Sequence, residues 1–284
     1  MVSITPSETG RRSARRMCGV LLAAAVASAS GCRTAPQSAS ASAPVNELTS
    51  AERAAGWRLL FDGHSLSGWR GLGYPGIPED HWKVESGTIR KVASNAVPKQ
   101  ANGRPVAGGD LMTEATFRNF ELAWDWKITP VGNSGMKYNV SETLSIGVPE
   151  TAMRPSTGTP GASHSAIGFE YQMIDDDRHS DGKLPNHRTG ALYDLITPNE
   201  NKHVNAIGEW NHSVIIFAGN HGEHWLNGLK VVEYELGSPS LNALLVASKY
   251  HTLSWFAERR TGHIVLQDHG DEVYFRNIKL RELP

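Results

Sequence analysis

From residue 56 onward the apolar residues mostly recur at every second position. Phe120, Leu122, Trp124, Trp126 and Ile128 take one face of a segment whose other face carries Glu121, Ala123, Asp125 and Lys127. Successive side chains of a strand point to opposite faces, so this pattern predicts a half-buried β-strand. Phe169, Tyr171 and Met173 alternate with Glu170 and Gln172, and Val265, Gln267 and His269 alternate with Ile264, Leu266 and Asp268. Val273 to Leu280 reads as a further strand after a Gly270-Asp271 turn. Val214 to Ala218 is a continuous apolar run, as expected of a strand covered on both faces. Asn227-Gly228 separates two more strand-like runs; both residues tolerate the positive φ of a type I′ turn, so a hairpin is predicted there. No long segment of helical period follows residue 56. Many short strands separated by Gly, Asn and Pro predict one all-β sandwich or barrel domain. Ser141 to Ser165, with Pro149, Pro155 and Pro160 and several Gly, reads as a long surface loop.

The N-terminal segment breaks this pattern. Arg11, Arg12, Arg15 and Arg16 precede an apolar stretch from Met17 to Ser30 that is too short for an ordinary membrane span. Basic, then apolar, then small is the order of a secretory signal. The stretch ends in Ala29-Ser30-Gly31-Cys32, which is similar to a bacterial lipobox, although Ala29 stands where Leu is usual. Residues 1–31 are therefore expected to be a lipoprotein-type signal, with Cys32 as the lipidation site. The alternative is an ordinary signal cleaved near Ala29. Arg33 follows the cysteine where an inner-membrane retention signal would place Asp. The expected location is the periplasm or outer membrane, with membrane contact through the N-terminal lipid only. Residues 32–47 are rich in Ala, Ser and Pro and read as a flexible tether. The domain is expected over 48–284, opening on a short helix near Leu48 to Ala55 capped by Thr49 or Ser50.

Composition narrows the function. The chain has 284 residues, 39% of them hydrophobic, with eight Trp, which excludes a disordered protein. A net charge of −1 gives no electrostatic pull toward nucleic acid, so no nucleic-acid partner is expected. The two cysteines are Cys18, inside the signal, and Cys32. Thiol catalysis and a thiolate metal site are thereby disfavoured. Gly71 to Gly76 satisfies G-x-G-x-x-G, but Pro75 and Pro78 follow in place of the helix a nucleotide loop needs. His221 and His224 straddle a turn entering the hairpin and read as a satisfied or exposed pair rather than a metal site.

One set of polar residues is harder to dismiss. Asp125 and Lys127 share a strand face, as do Asn133, Gly135, Lys137 and Asn139, then Glu170 and Gln172, then Gln267 and His269. Polar groups on strands that look buried are costly without partners or a ligand. Carboxylates, amides, Lys and His on one sheet face suit the hydroxyls of a sugar. The bland alternative is an ordinary solvent-facing surface.

Several segments resemble the DUF1080 family, the 3-keto-disaccharide hydrolase domain. They include WRLLFDGHSLSGWRG from Trp57, WKVESGTI from Trp82, NSGMKY from Asn133, GFEYQMIDDD from Gly168, TGALYDLI from Thr189, GEWN from Gly208, EHWLNG from Glu223 and HIVLQDHGDEVYFRNIKLREL from His263. Single pieces are weak, but in this order they cover nearly all of 57–283. The resemblance implies a concanavalin A-like jelly-roll sandwich of two antiparallel sheets. It also implies cleavage of glycosides already oxidised at C3. A C3 ketone acidifies the C2 proton, so a base there can drive expulsion of the glycosidic oxygen at C1, followed by hydration. Such a site needs a base, a group for the ketone oxygen and a proton donor.

On that reading Glu170 or His269 is the base and Lys137 serves the enolate oxygen. Asp125, Asn133, Gln172 and Gln267 bind hydroxyls, and Tyr193 offers a proton or a stacking face. Arg276 either faces the substrate or pairs with a strand-end carboxylate. No cofactor is required by the sequence; a divalent metal held by His269 and nearby carboxylates is an open option that the spacing does not show. Two alternatives stay open: a non-catalytic, lectin-like carbohydrate-binding module, and a conventional glycoside hydrolase pairing Glu170 with Asp125 or Asp175.

Overall fold

In a computed structural model, residues 44–147, 165–258 and 260–284 are described. The expected signal, Cys32, most of the tether and the centre of the 141–165 loop lie outside these residues. In chain order the strands are β1 (Arg58–Leu59), β2 (Trp69–Gly71), β3 (Trp82–Glu85), β4 (Thr88–Lys91), β5 (Leu111–Thr113), β6 (Phe120–Ile128), β7 (Asn133–Val140), β8 (Phe169–Ile174), β9 (Asn211–Ala218), β10 (His221–Leu226), β11 (Leu229–Glu235), β12 (His263–Leu266) and β13 (Val273–Glu282). Among the described residues three α-helices accompany them: α1 (Ser50–Ala54), α2 (Glu142–Gly147) and α3 (Pro239–Ala247).

The strands form the expected jelly-roll sandwich of two antiparallel sheets. One sheet runs β11-β10-β9-β6-β13-β4-β3, with β1 also on β13; the other runs β2-β5-β12-β7-β8. The alternation in β6 sends Leu122, Trp124 and Trp126 inward to meet Met136, Tyr138, Phe169 and Tyr171 of the second sheet. Trp124 and Tyr171 meet edge to face across the sheets, their centroids 5.0 Å apart. Several buried polar groups are paired in chains. Trp126 Nε1 donates to Ser213 Oγ at 2.8 Å, and Ser213 Oγ donates to the Tyr171 hydroxyl at 2.9 Å. His224 lies 2.9 Å from the Tyr138 hydroxyl through Nε2 and 3.1 Å from Gly190 O through Nδ1. Burial brings its pKa down to about 4, so it is neutral and structural.

Local signals explain most elements. Thr49 caps α1 in a reciprocal capping box with Glu52. Asn227 and Gly228 both have positive φ, 47° and 84°, as a type I′ turn requires. Two readings need correction. Val214–Ala218 is covered on one face only: Ile215 and Phe217 are buried, whereas Val214 and Ile216 sit half-exposed on the outer face of β9. The 141–165 segment opens as helix, with α2 tied back to the sandwich by the Glu142–Arg70 ion pair. Trp210 stands half-exposed with the Arg276 guanidinium 3.9 Å from its ring centre. Helix α3 was not foreseen, because Leu241 is its one buried residue and it therefore writes no apolar stripe. Its N-terminal signal is nevertheless present: Ser238 caps it and Pro239 takes the first turn.

Candidate active site

The site lies on the outer face of the five-stranded sheet. Lys137 of β7 and Glu170 of β8 are register partners and point outward side by side. Gln267, just past β12, joins them, since its amide continues the pairing by donating to Gly135 O at 3.0 Å. Gly135 lies between these side chains. A Cβ there would sit 2.3 Å from Glu170 Oε1, so the missing side chain is what gives the carboxylate its place over β7. The chain after β8 returns along that strand as an irregular edge. Gly190 N donates to Gln172 O at 2.9 Å and Tyr193 N to Glu170 O at 3.0 Å, which sets Tyr193 beside the carboxylate.

Two adjoining cavities of about 330 and 380 Å³ result, both lined by His269 and Lys249. The first exposes Lys137, Glu170 and Gln267; the second exposes His179, Asp181, His187 and Tyr193. Lys249 Nζ lies 4.1 Å from the Tyr193 ring centre. Asp194 fixes this wall. Its Oδ2 accepts the Lys249 amide at 2.7 Å, and it adopts a left-handed φ of 62°, a conformation uncommon for a residue with a side chain.

The carboxylates of the region fall into two kinds. Asp110 is fully buried and accepts the amides of Ala166 and Asp268, both at 2.7 Å; burial pushes its carboxyl above the usual range. Asp268 is bound by Lys91 at 2.9 Å and His81 at 3.0 Å; burial raises it, but those bonds outweigh burial and hold it below the usual range. Glu170 differs. It is 3% exposed, and among the described residues its carboxylate accepts no hydrogen bond; its nearest cation is Lys137 Nζ at 3.8 Å. A buried carboxylate without donors is costly to keep, and such groups call for a functional reason. Lys137 Nζ is held by Ala166 O at 2.9 Å and faces Asp110 at 3.6 Å. Two further buried acceptors, Gln267 Oε1 and Asn133 Oδ1, have no hydrogen-bond partner among the described residues. They match the hydroxyl donors of a polyol.

His187 is clamped between Asp181 Oδ1 at 2.7 Å and Asp194 Oδ1 at 3.1 Å, and the Tyr193 hydroxyl donates to Asp181 Oδ2 at 2.9 Å. Burial alone would lower the His187 pKa, but the two carboxylates reverse that and raise it to about 9. Burial likewise opposes ionisation of Asp181, yet its bonds to His187 and Tyr193 bring it to about 2. The folded protein holds the His187 proton more tightly than the unfolded chain, whose value is 6.5. Its stabilisation is therefore complete below about pH 6.5 and is lost as pH rises through about 9. The melting temperature should fall by roughly 5 °C more over that interval in the native protein than in His187→Gln. Equal slopes in a melting series would contradict the clamp.

Among the described residues, two groups have the donors for a metal ion. His179, His269 and Asp271 lie within 4.8 Å of one another beside the cavities. His179 Nδ1 accepts the Asp181 amide at 3.1 Å, which leaves the proton on Nε2 and makes that nitrogen a donor as it stands. On the far sheet His221, Glu223 and Glu233 also cluster, but Lys230 Nζ already bridges the two carboxylates at 3.3 and 2.6 Å.

Of the expected site residues, Glu170, Lys137, Gln267, His269 and Tyr193 line these cavities. Asn133 stands directly behind, its Nδ2 3.3 Å from His269 Nε2, and so positions the imidazole. Four others are elsewhere. Asp125 and Arg276 belong to the opposite sheet, where they pair at 3.3 Å while Asp125 also binds His212 and Asn277. Asp175 is consumed by the amides of Val131, Asp177 and Arg178 at the end of β8. Gln172 is sealed beneath the returning chain, its Oε1 accepting the Met173 amide. Alternation gives a residue's face on its own strand but not which sheet that strand joins, which is why Asp125 reads in sequence like a residue of this face. His179, His187, Asp194 and Lys249 escaped notice because they come from irregular segments; the one local sign was the density of Asp, His and Gly in 175–194.

Residues 56–281 match the model of the 3-keto-alpha-glucoside-1,2-lyase-like domain. The chain is 34% identical over 242 residues to a 3-keto-disaccharide hydrolase of Bacteroides thetaiotaomicron, a match covering 80% of this chain and 79% of that protein. Two crystal structures from Parabacteroides distasonis, each of a candidate glycosyl hydrolase, are similar. One has a TM-score of 0.67 and 32% identity and covers 85% of this chain and all of that one; the other has 0.54 and 25% and covers 80% and 99%. On this evidence the chain belongs to the 3-keto-alpha-glucoside-1,2-lyase-like domain family.

Proposed function

We propose that this enzyme cleaves 3-keto-glycosides by elimination and hydration, with Glu170 as the base. The observation that carries the reading is the Glu170 carboxylate, buried, without a hydrogen-bond donor and beside an ammonium group. The ketone lowers the barrier to removing the C2 proton, and Glu170 takes that proton. The electron pair left at C2 forms the C1–C2 double bond as the C1–oxygen bond breaks. Lys137, held over the same floor, offsets the negative charge that spreads onto the ketone oxygen. His269, at the cavity mouth, supplies the proton to the departing oxygen. Water then adds across the double bond, hydroxyl to C1 and proton to C2, so the sum is hydrolysis.

The alternatives have less support. A conventional glycosidase needs a second carboxylate free to act. Asp175 is saturated by amides, Asp125 is on the other sheet, and Asp181 and Asp194 are committed to His187. A pure binding module has no use for a buried carboxylate that accepts no hydrogen bond. The test is incubation of the purified protein with methyl 3-keto-glucoside and with methyl glucoside. Methanol release from the keto form alone is expected. Release from the parent sugar would favour the two-carboxylate route, and binding of either without turnover would favour the lectin-like reading.

A further inference from the structure

A third cavity, of about 640 Å³, adjoins the site on the far side of His269 and shares Asp268 and His269 with the first. His269 thus stands where all three cavities meet. The outer wall of this groove is a tight turn. Gln100 N donates to Arg104 O at 2.7 Å, Gly103 N to Gln100 O at 2.9 Å, and Gly103 takes a φ of 78° that suits glycine. The turn is tied to the catalytic strand end. His81 bridges Val106 O through Nε2 and Asp268 Oδ2 through Nδ1, both at 3.0 Å, and Asp268 sits between Gln267 and His269. Gly108 makes the tie possible, because a Cβ there would lie 2.3 Å from the His81 ring. The wall therefore has a fixed register relative to His269.

The chemistry of the groove is that of a polyol site. The Asn102 side chain spends its oxygen on the Arg104 amide at 3.0 Å, leaving its Nδ2 hydrogens to offer. The exposed Arg104 guanidinium has no hydrogen bond or ion pair among the described residues. Gln100 and Ser94 add further polar groups, and among the described residues no Phe, Tyr or Trp lines the groove. Aromatic leaving groups gain most from aromatic walls, whereas hydroxyl-rich ones gain from donors.

We propose that this groove is the leaving-group subsite and that Asn102 and Arg104 select a second sugar over an aromatic aglycone. The proposal rests on the reading that the Glu170 cavity holds the oxidised ring. The glycosidic oxygen then crosses at His269, the residue both spaces share, where a leaving oxygen needs its proton.

The test compares kcat/KM for a 3-keto-disaccharide with that for phenyl 3-keto-glucoside, in the native protein and in Asn102→Ala/Arg104→Ala. The native protein should prefer the disaccharide. The double variant should lower that preference about tenfold, mainly through KM, as expected for loss of hydrogen bonds made equally in ground and transition states. Turnover of both substrates with an unchanged ratio would overturn the subsite and leave the Glu170 reading intact. A native protein that turns over neither would overturn both.

Discussion

Glu170→Gln lowers the turnover of a 3-keto-glycoside by more than a hundredfold while leaving the fold intact. The size follows from what a positioned general base contributes, about 10²- to 10⁴-fold. The amide is nearly isosteric with the carboxylate, so the packing over Gly135 persists. It removes the negative charge facing Lys137 at 3.8 Å and introduces an NH₂ that cannot accept the C2 proton. The native carboxylate has no hydrogen-bond donor to lose, and Lys137 keeps Asp110 at 3.6 Å as a counter-charge, so stability should change little. The pairing of lost turnover with an undiminished melting temperature distinguishes this role from a structural one. If kcat in the variant stays within a few-fold of native, Glu170 is not the base.

Gly135→Ala should reproduce much of that loss without touching a reactive group. The added Cβ would lie 2.3 Å from Glu170 Oε1 and 2.8 Å from both its Cδ and its Cγ, so the carboxylate must leave its place. Gly135 is not among the residues with positive φ, so alanine costs the backbone nothing there. The effect should therefore fall on kcat, by about a hundredfold, with a small change in melting temperature. In the Glu170→Gln background, the same substitution should cost little further activity, since both changes act through one group. Additive losses in the double variant would mean that Gly135 acts through something other than Glu170.

Much of the architecture was legible in the sequence because a two-sheet sandwich writes its pattern locally. The alternation of β6 and β8 and the Asn227-Gly228 turn each follow from one strand and its neighbours in the chain. The floor of the site was legible for the same reason: Lys137, Glu170 and Gln267 are the polar positions of strands whose other face is apolar. The failures are non-local. Asp125 has the same alternating signature as Glu170, and only sheet order separates them: β6 lies in one sheet and β8 in the other. Arg276 pairs with Asp125 across β6 and β13, the carboxylate pairing that was one of its two expected roles. Asp175 sits on an edge where amides converge on it, a property of the turn's conformation. The wall built from His187, Asp194 and Lys249 depends on irregular backbone, including the left-handed Asp194, for which periodicity has no code. The groove beyond His269 likewise becomes visible only when the 98–108 turn is brought against residues 268–270.

Removal of the C2 proton by Glu170 is read directly by isotope exchange. A 3-keto-glycoside turned over in D₂O should yield a product carrying deuterium at C2, detected by NMR. The native protein should also exchange C2 of unreacted substrate faster than buffer does, and Glu170→Gln should lose that exchange together with turnover. Turnover by the native protein with the original C2 hydrogen fully retained would contradict the account.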